Sequence, residues 1–321
     1  MIPKTYRIGL IFCLLASGLF FLLSAGCDSN DNYLEVDFTR TVSIEELDAP
    51  AVDRPLLRAA VGAMISPRET FESYREILVY LSNELDLQLE FTQRKTYEEI
   101  NALLGRGEID LAFICSGPYV RGKEDYDFRL LAAPVVDGRW EYHSYLIVHE
   151  ESPYQELNDL RGKIFAFTDP DSNTGRMVPM YWIKNMGTTP EEFFSDVIYT
   201  YSHDNSILAV SKGLVDGAAV DHLIWEYLLK TGSEITKNTR VIKTSQPFGM
   251  PPVVVSSSLD VRTADRIVQV LLNMHENVAE QEILSELMIE RFVPAEDEWY
   301  DSIRDIFRIL KDNGNSSTLQ P

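Results

Sequence analysis

Apolar and polar residues alternate along this chain with two different periods. Short apolar runs, typical of buried strands, are separated by longer segments in which apolar residues recur every three or four positions, typical of amphipathic helices. The predicted strands are 59–65, 87–91, 109–114, 130–136, 142–148, 163–167, 197–201, a short strand near residue 218, 241–243 and 252–256. The predicted helices are 69–85, 96–104, one that begins after Thr174, 204–212, 221–230, 264–277, 280–289 and 296–310.

This alternation of strand and helix predicts an α/β fold. Repeated βα units build largely parallel sheets that carry helices on both faces. The chain has 321 residues, of which 45% are hydrophobic. That length is sufficient for two such doubly wound sheets, each with its own core.

The polar segment 169–179 is the most informative motif. It follows the predicted strand 163–167 and opens a helix-like run. The first N–H groups of a helix have no partner inside the helix, and the peptide dipoles converge there, so such a turn favours an anion. Ser172, Asn173 and Thr174 add hydrogen-bonding side chains at the same place. The alternative is an ordinary helix cap, because Ser, Asn and Thr cap helices in many proteins.

The beginning of the chain has the pattern of a secretory signal. Lys4 and Arg7 precede an apolar stretch that ends in small residues before Cys27. We therefore predict a signal peptide over residues 1–26, too short for a membrane span. The small residues before Cys27 resemble a bacterial lipoprotein signal, in which this cysteine is lipidated. The alternatives are a simple signal anchor and an unlipidated secreted protein.

Segments of low apolar content lie on either side of the predicted body. Residues 27–57 are acidic and polar, and we predict a tether there. Residues 312–321 are predicted to be a disordered tail. Asp28, directly after the lipidation candidate, resembles a retention signal for the inner membrane. This pattern predicts an extracytoplasmic protein, lipid-anchored on the periplasmic side of the inner membrane in a Gram-negative cell.

Charge and composition exclude several classes of protein. The net charge is −21, and the chain has no cluster of Lys and Arg with which to bind nucleic acid. Cys115 is the only cysteine of the predicted body, so an internal disulfide is not possible there. The histidines lack metal-ligand spacing, and no nucleotide fingerprint or catalytic triad order is present. We therefore predict no metal, no cofactor and no enzymatic activity.

The order of motifs between residues 58 and 310 resembles a known family, the phosphonate/phosphite/phosphate-binding proteins that serve ABC transporters. The segments that carry the resemblance are 96–100 (TYEEI), 107–113 (GEIDLAF), 142–148 (YHSYLIV), 159–163 (DLRGK), 169–179 (DPDSNTGRMVP), His203, 209–210 (AV) and 215–218 (VDGA). The turn at 169–179 is the most specific of them.

The resemblance implies the type II periplasmic-binding-protein fold, in which two crossing strands join two α/β lobes. Lobe one would comprise 58–141 and 253–311, and lobe two would comprise 146–248, with hinges near 142–145 and 249–252. A small oxyanion is held between the lobes of such proteins, and lobe closure traps it.

The same resemblance implies which residues face the ligand. Oxygen atoms of the anion would be held by Ser172, Asn173, Thr174 and Gly175, with His203 on the other side of lobe two. Tyr97 would reach the anion from lobe one, Tyr142 would lie at the crossing between the lobes, and Ser116 and Ser66 would lie at the rim of lobe one.

The chain departs from the family pattern at two places. Aminoalkylphosphonate binders present carboxylates to the ammonium group of the ligand, but residues 247–252 contain none, and we interpret Asp221 and Glu226 as surface helix residues. A compact oxyanion is therefore favoured over an amine-bearing ligand. Cys115, at the end of a predicted strand, is either a packing residue or a thiol ligand for a thiophilic centre.

Two functions follow from the resemblance. The first is a lipid-anchored receptor that captures phosphate, phosphite or a small phosphonate and delivers it to an ABC permease. The alternative is a sensory receptor of the same fold, in which Cys115 binds arsenite and the closed form signals to a membrane kinase.

Overall fold

The computed structural model describes residues 54–62 and 67–311, and for residues 67–73 it describes the backbone alone. The predicted signal peptide, most of the tether, Cys27, Ser66 and the predicted tail lie outside the described residues. All described residues belong to a single unit of the chain.

Six strands form the first sheet, which with its helices we refer to as lobe one. They are β1 (Leu56–Val61), β2 (Gln88–Thr92), β3 (Leu111–Phe113), β4 (Arg129–Val135), β12 (Val253–Val255) and β13 (Arg291–Pro294). Their order across the sheet is β13-β4-β12-β3-β1-β2. β1 pairs in parallel with β2 and β3, whereas β12 runs antiparallel to β3 and β4, and β13 runs antiparallel to β4.

Five strands form the second sheet, which belongs to lobe two. They are β6 (Ser144–His149), β7 (Ile164–Phe167), β8 (Asp196–Tyr199), β9 (Gly217–Asp221) and β10 (Thr239–Thr244). Their order is β10-β6-β9-β7-β8. β7 pairs in parallel with β8 and β9, and β6 runs antiparallel to β9 and β10.

Both sheets are mixed, so the prediction of largely parallel sheets is wrong in this respect. Right-handed βα units give the parallel pairs. A strand that enters a sheet after crossing from the other lobe, as β6 and β12 do, does not follow such a unit and pairs antiparallel with its neighbours.

Two short strands connect the lobes. β5 (Glu141–Tyr142) carries the chain into lobe two and β11 (Phe248–Gly249) carries it back, and the two pair antiparallel. They lie next to the hinge segments predicted from the sequence, and the exact lobe bounds stay a prediction. Beside them, the rings of Trp140 and Trp299 stack with centroids 4.4 Å apart.

Helices cover both sheets. They are α1 (Pro67–Leu85), α2 (Tyr97–Gly105), α3 (Ser116–Tyr126), α4 (Val178–Asn185), α5 (Pro190–Phe193), α6 (His203–Ser211), α7 (His222–Lys230), α8 (Glu234–Lys237), α9 (Val261–Asn273), α10 (Val278–Glu286) and α11 (Asp301–Lys311). Short 3₁₀ turns lie at Leu157–Leu160, Met274–Glu276 and Asp297–Tyr300, and a π-helical turn at Asn173–Met177 precedes α4. The described part contains no helix that is both long and apolar enough to cross a membrane.

Local sequence determines how α2 begins. The Thr96 side chain accepts the N–H of Glu99, and the Glu99 carboxylate accepts the N–H of Thr96 at 3.0 Å. This reciprocal pair satisfies two N–H groups that the helix itself leaves unpaired. It fixes the first turn of α2, at which Tyr97 lies.

The apolar core continues through the hinge. One cluster of buried side chains extends from lobe one through Tyr142 and Phe248 to Phe165 in lobe two. A smaller cluster in lobe two packs its sheet against α6 and includes Ile147, Ala166, Ile207 and Val210.

Candidate functional site

The turn after β7 has an unusually close approach of backbone to side chain. The Ser172 hydroxyl oxygen accepts the N–H of Gly175 at 3.0 Å and caps the π-helical turn. A Cβ atom on Gly175 would lie 1.8 Å from the hydroxyl oxygen of Thr168, so glycine is required at this position. The capping alternative is therefore observed for Ser172, and Gly175 permits the tight packing of the turn.

Several polar atoms around this turn are buried without a hydrogen-bond partner among the described residues. Four of them are Tyr97 Oη, Asn173 Oδ1, Thr174 Oγ1 and His203 Nε2. The four residues are at most 1% exposed. An unpaired buried polar atom costs about 1–3 kcal/mol, and native proteins contain few of them. Their grouping therefore points to a polar guest that supplies the missing partners.

The topology explains why these residues meet. Asn173 and Thr174 follow β7, His203 follows β8, and Asp221 ends β9. β7 is parallel to both β8 and β9, so the carboxyl ends of the three strands share one edge of the sheet. Cys115 follows β3 of lobe one. The carboxyl edge is where open α/β sheets bind ligands.

His203 presents a fixed donor to this edge. The backbone N–H of Asp221 donates to His203 Nδ1 at 3.0 Å, so the proton of the neutral ring is on Nε2. Burial lowers the pKa of His203, and the negative charge of Asp221 opposes this only in part. The ring is therefore neutral near pH 7, and its Nε2–H group has no partner in the part of the chain that the structure describes.

Tyr142, Asn173 and Cys115 form a contact chain at the hinge. Asn173 Nδ2 donates to Tyr142 Oη at 3.1 Å, and Cys115 Sγ lies 3.8 Å from the same Oη atom. Burial, and secondarily the charge of Asp221, raise the pKa of Cys115 to about 11. The thiol is therefore protonated at neutral pH and is a weak nucleophile and metal ligand.

Ser116 has a partner in the hinge. Its hydroxyl donates to the Gly249 carbonyl oxygen at 2.7 Å and so ties the start of α3 to β11. Burial and nearby charges raise the pKa of Tyr142, while a hydrogen bond with Ser116 opposes that rise. Ser116 thus contacts Gly249 and Tyr142, and its role as a ligand residue stays a prediction.

Asp169 was missed by sequence reasoning. It is 1% exposed, and its carboxylate accepts the N–H of Tyr97 at 3.1 Å and the N–H of Asp171 at 2.8 Å. Burial raises its pKa to about 6, although these two hydrogen bonds favour the ionised form. The available signal was an Asp directly after the buried strand β7, at the edge where functional side chains collect.

Asp221 is not a surface residue, so our interpretation of it is wrong. It is 1% exposed and caps α7, since its Oδ1 accepts the N–H of Leu223 at 2.8 Å. Burial is the main cause that raises the pKa values of Tyr97, Tyr142 and Cys115, and the charge of Asp221 adds to it, which agrees with a position near these residues. The sequence pattern of an Asp that caps an apolar helix is the same whether the end of the preceding strand faces water or a cleft. Glu226 is half-buried and accepts the hydroxyl of Tyr145 at 2.7 Å.

A small cavity adjoins Asp221. Its volume is about 60 Å³, and mainly apolar side chains from both lobes line it, including Tyr74, Phe113 and Leu223. Arg176 does not contribute to the site, because its guanidinium donates to Tyr199 Oη at 2.8 Å and to the Pro170 carbonyl at 2.9 Å.

Solved structures define the class of protein to which this fold belongs. A binding-protein component of an ABC phosphonate transporter from Pseudomonas aeruginosa has a TM-score of 0.77 over 84% of this chain and 91% of its own, at 22% identity. PhnD1 from Prochlorococcus marinus, in complex with methylphosphonate, has a TM-score of 0.73 over 80% of this chain and 98% of its own, at 21% identity. At these identities the likeness shows the fold, that of a two-lobed periplasmic binding protein.

Sequence comparison then defines the family. The family of periplasmic substrate-binding proteins of phosphonate ABC transporters matches residues 60–300, and this chain belongs to it. The phosphonates-binding periplasmic protein of Escherichia coli is 30% identical over 155 residues, which are 47% of this chain and 46% of that protein. Three curated relatives of this chain are named for phosphite, phosphonate and phosphate. The matches with this chain span 46% to 61% of the length of these relatives.

Proposed function

We propose that this protein binds a small oxyanion of phosphorus, namely phosphate, phosphite or a short phosphonate, between its lobes and delivers it to an ABC permease. One observation carries the proposal: buried polar atoms of Tyr97 in lobe one and of Asn173, Thr174 and His203 in lobe two have no partner among the described residues. Membership of a family of substrate-binding components supports it.

The chemistry of these atoms suits a protonated oxyanion. Tyr97 Oη, Thr174 Oγ1 and His203 Nε2 donate hydrogen bonds to unprotonated oxygen atoms. Asn173 Oδ1 accepts a hydrogen bond, and a P–OH group supplies one. Sulfate carries no proton at neutral pH, so it would leave Asn173 Oδ1 unpaired and would place a full second negative charge near the Asp221 carboxylate, both of which are costly in a buried site.

Calorimetry on the protein without residues 1–53 tests this proposal. The ligands are phosphate, phosphite, methylphosphonate and aminoethylphosphonate, with sulfate as the matched tetrahedral anion. We expect at least one phosphorus oxyanion to bind and sulfate to bind at least a hundredfold more weakly. Failure of all phosphorus oxyanions to bind would contradict the proposal.

Asp221 bears on the choice among these ligands. An ammonium group can satisfy its carboxylate as a P–OH group does, so the reason for placing amine-bearing ligands last no longer holds. The cavity of about 60 Å³ beside Asp221 has room for a short substituent only. We therefore expect methylphosphonate or phosphite to bind more tightly than any phosphonate with three or more carbon atoms. Asp221→Asn should relax the discrimination against sulfate.

The location of the protein in the cell is also part of the proposal. Members of this family are periplasmic substrate-binding components. We propose that residues 1–26 are removed, that Cys27 carries lipid, and that residues 27–57 tether the body to the inner membrane. Mass spectrometry of the membrane-extracted protein should show an acylated N-terminal Cys27. An unmodified Cys27 thiol in that sample would contradict the anchor without affecting the ligand proposal.

A further inference from the structure

The segment 168–175 of lobe two has functional contacts on two sides. On one side, Oδ1 of Asn173 and Oγ1 of Thr174, which have no partner among the described residues, belong to the proposed ligand site. On the other side, the segment touches lobe one at two helices, α2 and α3. The segment also contacts the hinge strand β5 through the hydrogen bond from Asn173 to Tyr142.

The contact with α2 is made by Asp169. Its Oδ2 accepts the N–H of Tyr97, the first residue of α2, at 3.1 Å, and its Oδ1 accepts the N–H of Asp171 within the segment at 2.8 Å. A carboxylate at a helix start is favoured by the unpaired N–H groups and by the helix dipole. The backbone of Tyr97, whose side chain the proposed function assigns to the ligand, is thus held by a residue of the opposite lobe.

The contact with α3 is made by Asp171 and its neighbours. The guanidinium of Arg121 on α3 pairs with the Asp171 carboxylate across the lobes. A Cβ atom on Gly117 in α3 would lie 2.4 Å from the Asp171 carbonyl oxygen and 2.9 Å from the Asn173 backbone nitrogen. The start of α3 therefore rests directly on the segment.

We propose that the segment 168–175 is the latch that holds the two lobes closed, and that Asp169 is its positioning residue. This inference rests on the proposed function and adds a mechanism to it. A ligand that orders Asn173 and Thr174 also fixes Asp169 and Asp171 against lobe one. Ligand binding and lobe closure are therefore thermodynamically coupled. Opening the lobes breaks the contacts to both helix starts together.

Asp169→Asn tests the latch by its effect on kinetics. An amide offers one oxygen where the carboxylate offers two, so one of the two N–H groups loses its acceptor. We expect the dissociation rate of the tightest phosphorus oxyanion to rise at least tenfold in stopped-flow experiments, while the association rate stays within threefold. Asp265→Asn, an exposed Asp on α9 with the same change of charge, is the matched control.

Gly117→Ala tests the latch by sterics alone. The nearest atoms to its new Cβ, on Asp171, Met177 and Asn173, all belong to lobe two, so the fold of lobe one is not strained. We expect the same rise in dissociation rate and a larger radius of gyration in small-angle scattering at saturating ligand. Thermal denaturation checks that both variants are folded.

The outcomes separate the latch from the ligand proposal. If the wild type binds a phosphorus oxyanion but neither variant changes the dissociation rate or the radius of gyration, the latch is wrong and the proposed function stands. If the wild type binds none of these anions, the proposed function is wrong. In that case, small-angle scattering of the ligand-free wild type and Gly117→Ala proteins tests the latch. Equal radii of gyration for the two proteins would contradict it.

Discussion

Three residues of the proposed site each have one polar atom held by a neighbour and another without a partner. The backbone N–H of Tyr97 is held by Asp169, Nδ1 of His203 by the N–H of Asp221, and Nδ2 of Asn173 by Tyr142. Tyr97 Oη, His203 Nε2 and Asn173 Oδ1 have no partner among the described residues. A donor fixed in this way loses little conformational freedom when a ligand arrives, which favours tight and selective binding.

Thr174→Val replaces a hydroxyl by a methyl group of similar size, whereas His203→Ala removes the whole imidazole ring, including the Nδ1 atom that accepts the Asp221 N–H. We expect Thr174→Val and His203→Ala each to weaken binding at least tenfold, because a hydrogen bond to a charged group contributes about 1.5–3 kcal/mol. Calorimetry with the preferred oxyanion measures the loss, and Asp265→Asn is again the control. Near-neutral results for both variants would show that the pocket lies elsewhere.

The buried carboxyl group of Asp169 makes the free energy of unfolding depend on pH. Burial raises its pKa from 3.8 to about 6, so the folded protein holds this proton more tightly than the unfolded chain does. The associated stability is fully present below the unfolded pKa and is lost as the pH rises through 6. We expect the free energy of unfolding of the wild type, relative to Asp169→Asn, to decrease by up to about 3 kcal/mol between about pH 4 and pH 7.

Urea denaturation of both proteins at several pH values measures this difference. The comparison removes titrating groups that the two proteins share. A difference that does not change between the two pH values would show that the carboxyl of Asp169 titrates alike in the folded and unfolded states.

At the scale of elements, the unit of function is a strand, a turn and the helix that follows. β7 ends in a turn so tight that Gly175 packs against the side chain of Thr168. The helices α6 and α7 begin at the same edge, where His203 starts one and Asp221 caps the other. The regular strands thus position three helix starts, and the side chains at those starts form the site.

Gly175→Ala tests the packing of this turn. The new Cβ would lie 1.8 Å from Thr168 Oγ1 and 2.7 Å from its Cβ and Cγ2, so the turn has to shift. We expect a loss of about 1–3 kcal/mol of stability from overpacking, together with loss of ligand affinity. The double variant Thr168→Gly, Gly175→Ala removes all three of these Thr168 atoms and should recover part of the affinity. Unchanged affinity in the single variant would contradict the role of this turn.

Sequence predicts what local interactions determine. The capping box at Thr96 and Glu99, the turn at 169–179 and the α/β class follow from residue types at fixed spacing, and the structure contains all three. Asp169 and Asp221 were missed or misread because their burial depends on the other lobe and on strands distant in sequence. The antiparallel pairing of β6 and β12 was missed for the same reason, since it arises from the crossings between lobes.

At the scale of the whole molecule, the proposed function requires a strongly acidic protein to capture an anion. The net charge of the chain is −21, so its overall field repels the proposed ligand at long range. Binding would then depend on buried local donors that act at hydrogen-bond distance, where salt has little effect. The rates of association and dissociation should therefore respond differently to salt.

Ionic strength is the variable that separates these two responses. Salt screens the long-range repulsion between the acidic body and the anion, so we expect the association rate to rise by about two- to fivefold between about 10 mM and 200 mM salt. The dissociation rate should stay nearly constant, because the buried contacts are not screened. Stopped-flow measurements in potassium chloride and in potassium glutamate separate screening from competition by chloride. An association rate that decreases with salt would mean that local basic residues, such as Arg94 and Lys95 in a pocket lined by both lobes, attract the ligand more strongly than the body repels it.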